Sequence, residues 1–557
     1  MILRLPSSSV RARAALLVLV ALAACDRATS LPDENENGGA GGGQDPVHVV
    51  GEADVSINTA QERSAISPYI YGSNQDAGDN AWTVRRYGGN RTTGYNWENN
   101  FSNAGSDYQQ SSDLYAITSA GIPTSQASVP GIAITHFVDR SNAMGSASIV
   151  TLQMAGYVAA DGNGTVTPAE TAPSPRWTRV VARKGAPFAT TPDTSDDAVY
   201  MDEFVNFLVQ RYGPASSATG VRWYSLDNEP ALWPSTHPRI HPDTTGAREL
   251  IDRSVALASA VKAVDPSAGI MGPALYGMAA YVTLQDAPDW DAVKGGDGWF
   301  IDYYLDRMKE AAQTSGERLL DVLDLHWYPE ARGDHRITDA AATTPKDVEA
   351  RLQAPRTLWD STYTEDSWIG QYLSGYLPLL PTLERSIEQH YPGTKLSFSE
   401  YNYGGGDAAS GGLAQADVLG IFGKYGVYMA TIWGIGPSDT YTSAAFKLYR
   451  DYDGKHSTFG DTSVRASTSD VANTSVYASI DGQSPEVLHV ILLNKNTAGA
   501  VRVKFTIAGG TTYTRGDAWG FDATSPQITQ RSGVTAISGN TFEYVVPALS
   551  AVHLVLR

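Results

Sequence analysis

Between residues 66 and 440, short apolar or β-branched runs alternate with stretches of helical period. No other feature of the 557-residue chain limits its fold as much. The runs are 70–74, 84–89, 123–131, 221–230, 269–275, 322–329, 395–402 and 427–434. Between several of them apolar residues recur near a 3.6 period, over 201–212, 247–264, 299–312 and 378–389. Strand then helix, repeated around a closed sheet, predicts an α/β fold of the (β/α)8 TIM-barrel type. Only residues 75–83 separate the first two runs, too few for a full helix. After residue 440 the pattern changes to alternating runs at 475–480, 487–494, 501–507, 534–537, 541–546 and 551–556, with Gly, Asn and Asp turns between them. That predicts an additional antiparallel β-sandwich domain over 441–557. Residues 47–65 open with a strand-like stretch, Val47, Val49, Val55 and Ile57, that would join the sandwich ahead of a 66–440 barrel.

Composition narrows the function. Lys+Arg is 41 and Asp+Glu is 60, so the net charge is 41 − 60 = −19. Such a balance argues against phosphate-backbone binding, and no nucleic-acid partner is expected. The glycine run at 404–406 is followed by Asp407, not by the Lys-Ser/Thr pair of a phosphate loop. The 54 aromatic residues (12 Trp, 29 Tyr, 13 Phe) suit either a large core or flat, hydroxyl-rich ligands. One cysteine permits neither an intrachain disulfide nor a multi-thiolate metal site.

That cysteine is Cys25. Arg4, Arg11 and Arg13 precede an apolar run over 14–22, which ends in Ala23-Ala24-Cys25. A basic start, a short apolar stretch and small residues make a secretory signal, too short for a comfortable membrane span. Leu22-Ala23-Ala24-Cys25 resembles a bacterial lipobox, so residues 1–25 read as a lipoprotein signal with Cys25 lipidated. The protein is then exported to the cell envelope and held at a membrane by its lipid. Residues 26–46, rich in Gly, Asn and acids, are a flexible tether with an r.m.s. reach of roughly 25 Å.

Two barrel-strand ends carry the chemistry. Leu226-Asp227-Asn228-Glu229-Pro230 closes the fourth run, and Ser399-Glu400-Tyr401-Asn402-Tyr403 closes the seventh. Reactive groups of such barrels sit at the C-terminal ends of the strands. Glycoside cleavage needs one protonated and one ionised carboxyl across the scissile bond, which a Glu from each of these strands can supply.

These residues also carry a resemblance. The segments are Arg86-Tyr87-Gly88-Gly89-Asn90-Arg91, Asn96-Trp97-Glu98, Leu226-Asp227-Asn228-Glu229-Pro230, His326-Trp327-Tyr328-Pro329 and Ser399-Glu400-Tyr401-Asn402-Tyr403-Gly404. The chain from about residue 50 onward resembles glycoside hydrolase family 44. The resemblance implies a retaining endo-β-1,4-glucanase or xyloglucanase with no organic cofactor, Glu229 as general acid/base and Glu400 as nucleophile. Tyr87 departs from the Trp expected there.

As substrate-binding residues we single out Asn74, Arg86, Trp97, Asn228, Trp233, His326, Trp327, Tyr328, Tyr401 and Trp433. Of these, Trp327 is the first choice as a sugar platform, against a core role. His237 and His241 have metal spacing, but Pro238 and Pro242 favour an exposed loop instead. Residues 161–170 alternate oxygen donors like a calcium loop, or form a plain Asp/Gly turn. The family includes calcium binders, so the resemblance adds a structural calcium held by Asp161 and Asn163, with Glu98 and Asp107 as further ligands. The expected partner is a polysaccharide bound by a monomer. A non-catalytic surface glycan-binding lipoprotein is the competing reading, and the preferred glucan stays open.

Overall fold

The computed structural model describes residues 48–75, 78 and 81–557. The signal, the Cys25 lipidation site and the tether lie outside them. No helix among the described residues is long and apolar enough to cross a membrane.

Eight parallel strands close into a barrel: Gly72–Asn74, Val84–Tyr87, Ala147–Leu152, Trp223–Leu226, Gly269–Leu275, Val322–Trp327, Lys395–Tyr401 and Met429–Ile432. Seven of the eight follow the sequence runs. The third does not. Residues 123–131 hold a 3₁₀ turn, Thr124–Gln126, and lead into the helix Ile132–Ala143. Pro123 and Pro130 each remove an N–H that strand pairing would use, and Gly131 takes a left-handed φ of 64°. The third strand is instead Ala147–Leu152, apolar or small throughout and almost fully buried, as a strand covered on both faces must be.

Helices Met201–Tyr212, Ala247–Val264, Phe300–Ser315, Leu379–His390 and Ala409–Lys424 stand outside the barrel and bury their apolar faces on it. At the N-terminal end of the strands, Val84, Ile149, Trp223, Met271, Val322 and Met429 form a separate buried cluster that plugs the barrel floor. The opposite end opens into the polar mouth.

Ten strands make the second sheet system. Thr462–Thr468 is its fold line. Residues 462–464 pair with Thr474–Asp481, and residues 465–468 pair with Val49–Asn58. A strand that changes partner midway lets one sheet turn over and enclose its own core. Val55, Val464, Val490, Leu492, Phe505 and Leu554 fill that core, where Phe505 stacks on Phe542 at 4.6 Å. The sandwich locks to the barrel through Ala409–Lys424. There Gly420 lies flat beneath the Tyr477 ring, and Asp417 receives both the Tyr477 hydroxyl and, at 3.5 Å, Lys495.

Candidate active site

Glu400 reaches the barrel mouth through an irregularity in its strand. Pairing between Val322–Trp327 and Lys395–Tyr401 slips after Leu325↔Phe398, so that His326 faces Glu400. The extra residue is Ser399, whose hydroxyl donates inward to Asp324 at 2.7 Å. A bulge of this kind re-aims the next side chain, here Glu400, toward the barrel axis.

Glu229 is presented by a strained turn. Asp227 and Glu229 have φ of 59° and 45°, a region that non-glycine residues occupy at a cost. The buried Asp227 carboxylate holds the turn. It accepts from Thr93 Oγ1 at 2.6 Å, Asn228 N at 2.8 Å, Ala155 N at 2.9 Å and also Met154 N.

Between the two glutamates stands His326. Its Nδ1 is 2.9 Å from Glu229 Oε1 and 3.5 Å from Glu400 Oε2. One oxygen of each carboxylate and this nitrogen all lie within 4.8 Å of one another. Arg86 Nη1 donates to Glu400 Oε1 at 2.8 Å, and the Tyr328 hydroxyl donates to Oε2 at 2.9 Å. Arg86 Nη2 donates to Asn228 Oδ1 at 2.8 Å, leaving the Asn228 amide N–H2 to face a ligand. Asn74 is a strut. Its Nδ2 donates to Ser399 O at 2.9 Å and its Oδ1 accepts from Arg86 at 3.2 Å.

The electrostatics are unequal. Burial pushes the Glu229 carboxyl up to about 7, against the pull of Arg86. Burial also lowers His326 to about 4, so the imidazole between the carboxyls is neutral at pH 7. Glu400 carries its own cation, Arg86, whose side chain is fully buried. A proton donor and an ion-paired carboxylate therefore face each other across one small space.

Four expected sugar contacts are corrected. Trp327 is 1% exposed and donates its indole N–H to Tyr403 at 3.1 Å. Trp97 stacks on Phe204 at 5.1 Å, Trp233 is fully buried, and Tyr401 packs on Phe422 while its hydroxyl accepts from Gln415. None has a free face for a sugar ring. Trp433 differs: it is half-buried and lies over Gly89, where a Cβ would meet the ring at 2.2 Å. Residues not foreseen also line the mouth. Tyr108 and Tyr115, 60% and 53% exposed, border a 550 Å³ cavity that includes Tyr87 and Trp433. Tyr276 and Trp368 flank Glu229 in a 200 Å³ cavity. All four sit in a loop or at the end of a short helix, where residue type alone does not distinguish a platform from a surface aromatic.

His237 and His241 are buried, not exposed. His237 Nε2 meets Asn90 O and His241 pairs with Glu249, both at 2.9 Å, and neither belongs to a group of three or more metal-ligating atoms among the described residues. The expected calcium set is not brought together either. Asp161 is bound by Arg176 at 2.8 Å, which takes the place of a cation, Asn163 is exposed and Asp107 belongs to the mouth. Glu98 lies in another acidic group. Burial, then Asp196 and Glu203, push its carboxyl up to about 8. Glu203 Oε1 accepts from Lys184 at 2.6 Å, while its buried Oε2 has no partner.

Residues 101–331 match the model of glycoside hydrolase family 44. Endoglucanase A of Paenibacillus lautus is 55% identical over 504 residues, covering 90% of this chain and 72% of that protein. The solved structure of a Paenibacillus polymyxa xyloglucanase from the same family superposes with a TM-score of 0.90 at 55% identity, covering 91% of this chain and 100% of that one. A family 44 endoglucanase from Clostridium thermocellum, Cel44A, gives 0.89 at 58% identity, with 91% and 100% covered.

Proposed function

The chain belongs to glycoside hydrolase family 44, and we propose that it is an endo-acting hydrolase of β-1,4-glucan backbones, of the cellulose or xyloglucan type, that retains anomeric configuration. The observation that carries this reading is the approach of one oxygen from each glutamate to within 4.8 Å of the other. Double displacement uses carboxyls about 5–5.5 Å apart, whereas inversion leaves room for a water and needs about 6.5–9.5 Å.

Glu400 attacks the anomeric carbon of the bound sugar. As the C1–O bond breaks, Glu229 gives its proton to the departing oxygen. The shortened chain leaves, and a glycosyl ester on Glu400 remains. Glu229, now a carboxylate, takes a proton from water, whose oxygen attacks the same carbon and frees Glu400. One water is consumed and one new reducing end forms. His326 stays neutral throughout and fixes the Glu229 carboxyl. The Asn228 amide donates to the sugar 2-hydroxyl, a bond that strengthens toward the oxocarbenium-like transition state.

The deciding experiment is proton NMR of early hydrolysis of xyloglucan or a soluble β-glucan. The first anomer released is β; α as the first product would sink the retaining assignment.

The other parts of the reading are separate. For structural calcium we move the proposed site to Glu98 and the unpaired Glu203 oxygen, where Asp196 and Asp193 add negative charge. A cation there lets Glu98 ionise; chelation should then lower the Tm and added calcium restore it, and an unmoved Tm rejects the site. For the N-terminus we keep the reading of an exported lipoprotein tethered by 26–46, with a monomeric catalytic body. Labelled palmitate incorporated into wild type and lost in Cys25→Ser supports it; equal labelling overturns it.

A further inference from the structure

A second cleft, of 910 Å³, lies on the seam between the barrel and the sandwich. The helix Thr440–Arg450 and the turn after it make one wall, and the strands Gly516–Asp522 and Ser525–Val534 make the other. Trp519 is its main aromatic surface. The residue occupies the middle of an inner strand, paired to His553 on one side and Gln530 on the other. It is half-buried, and the buried Tyr452 ring backs it at 5.0 Å with a 54° tilt. Tyr452 in turn rests on His553 at 4.1 Å, and His553 Nδ1 is tied to Leu448 O at 2.9 Å. An indole held this firmly loses little freedom when a ligand lies on it.

The rest of the cleft favours a neutral, hydroxyl-rich ligand. Gln527, Gln530 and Thr440 offer uncharged hydrogen-bonding groups at its rim. Its two carboxylates are occupied by their own turn. Asp451 accepts from His456 N at 2.6 Å, and Asp453 accepts from Lys455 N at 3.0 Å and Ser457 Oγ at 2.8 Å. Among the described residues that line it, Lys447 alone is cationic.

The cleft also lies next to a cavity at the barrel mouth. Tyr328, which donates to Glu400, lines a 360 Å³ cavity that runs past Asn402 to Ile435. Ile435 then lines the seam cleft, together with Gly436, Pro437 and Gly78 from loops at the mouth. Ile435 is thus common to the cavity beside Tyr328 and to the cleft that holds Trp519.

From the held Trp519 face, the uncharged rim and the adjacency to the mouth we propose that the seam cleft is a remote binding site for the same β-glucan chain whose scissile bond lies at Glu229 and Glu400, with a sugar ring stacked on Trp519. The inference rests on the glucan-hydrolase reading. A polymer that occupies both sites gains from a high effective concentration at the second, whereas a short oligosaccharide fills only the first.

The test compares wild type with Trp519→Ala, Trp519→Phe and Gln527→Ala/Gln530→Ala. One readout is retardation in native gels that contain soluble β-glucan or xyloglucan. The other is the ratio of kcat/KM on polymer to that on cellopentaose. Trp519→Ala should weaken retardation and lower the ratio by about three- to ten-fold, the worth of one aromatic contact. Trp519→Phe should recover most of both. The double glutamine variant changes only exposed side chains and should lower both by about two-fold or more. Wild-type retardation and ratio in Trp519→Ala, with its melting curve intact, overturn the proposal. Should Trp519→Ala misfold, unchanged values in the double variant overturn it. Wild type that is retarded but cleaves neither substrate overturns the hydrolase reading instead, and retardation still decides the cleft.

Discussion

The two ends of one barrel are built on opposite terms. At the floor, Val84, Ile149, Trp223, Met271, Val322 and Met429 close the strands with apolar volume alone. At the mouth, the same strands or their ends bring together Arg86, Asn228, Glu229, His326 and Glu400, all buried or nearly so. The floor gains free energy by leaving water. The mouth gives some up, because each charged group there is desolvated and only partly compensated by its partners. A site held away from its most stable arrangement is the expected cost of preorganised chemistry. Substitutions should therefore separate the two ends: the mouth should lose rate without losing fold, and the floor the reverse.

The largest effects belong to the mouth. Glu400→Ala should lower kcat by about 10³-fold or more, since no ester can form. Glu229→Gln should lower it by about 10²–10⁴-fold, the usual worth of a positioned acid. Stopped reducing-sugar assays on xyloglucan give the rates and calorimetry gives the Tm. A large fall in Tm that tracks the lost rate would merge the two ends into one.

Next comes the floor. Met271→Ala leaves a cavity under the barrel and should cost about 2–5 kcal/mol in urea unfolding. The residual folded enzyme should keep kcat within about two-fold, because the strand ends that hold Glu229 and Glu400 lie at the other end of the barrel. A collapse of kcat at unchanged Tm would contradict the separation.

The third effect is a pH dependence confined to the mouth. Burial raises Glu229 from 4.5 to about 7. Below about 4.5 the group is protonated in both folded and unfolded chains and contributes nothing differential. As pH rises from there to about 7, the unfolded chain ionises first, so folding loses stability. The raised value, 7 − 4.5 = 2.5, corresponds to about 3 kcal/mol at most. Glu229→Gln removes that loss, so its Tm should exceed wild type at pH 8 and approach it at pH 4.5. In the wild type, kcat should fall as pH rises through about 7, where the acid loses its proton. Equal Tm curves for the two proteins would show that the carboxyl is not strained.

Much of the mouth is legible from residue order, and each error has its own physical cause. Glu229 and Glu400 stand out because an acid at the end of an apolar strand, before a polar aromatic loop, has few structural uses. The false third strand comes from weighing apolar and β-branched residues over Pro123, Pro130 and Gly131, whereas the true one is Ala147–Leu152. The tryptophan errors come from proximity. Successive strand residues face opposite ways; with His326 turned to the carboxylates, Trp327 must turn away from them, and its indole is enclosed against Tyr403. The period-two rule alone is enough to find that. It misleads at Glu400, because the bulge at Ser399 turns two successive residues inward, and no residue pattern announces a bulge. The polar strand Ser525–Val534, at the edge of its sheet, is mostly hidden from sequence because one solvated face leaves little apolar signal.

The smallest effect draws the same line through two residues of one type. Trp433 lies half-exposed over Gly89, on the cavity that adjoins the mouth, whereas Trp327 is enclosed and hydrogen-bonded to Tyr403. Removing an exposed stacking face costs binding but little packing, so Trp433→Ala should raise KM on xylogluco- or cello-oligosaccharides by about three- to ten-fold, with Tm nearly unchanged. Trp327→Phe loses an indole N–H and core volume, so it should lower Tm with KM nearly unchanged. Initial-rate kinetics and melting curves on both variants decide the matter. If Trp327→Phe raised KM and Trp433→Ala lowered Tm, the division between core and cleft would be drawn on the wrong side of the strand.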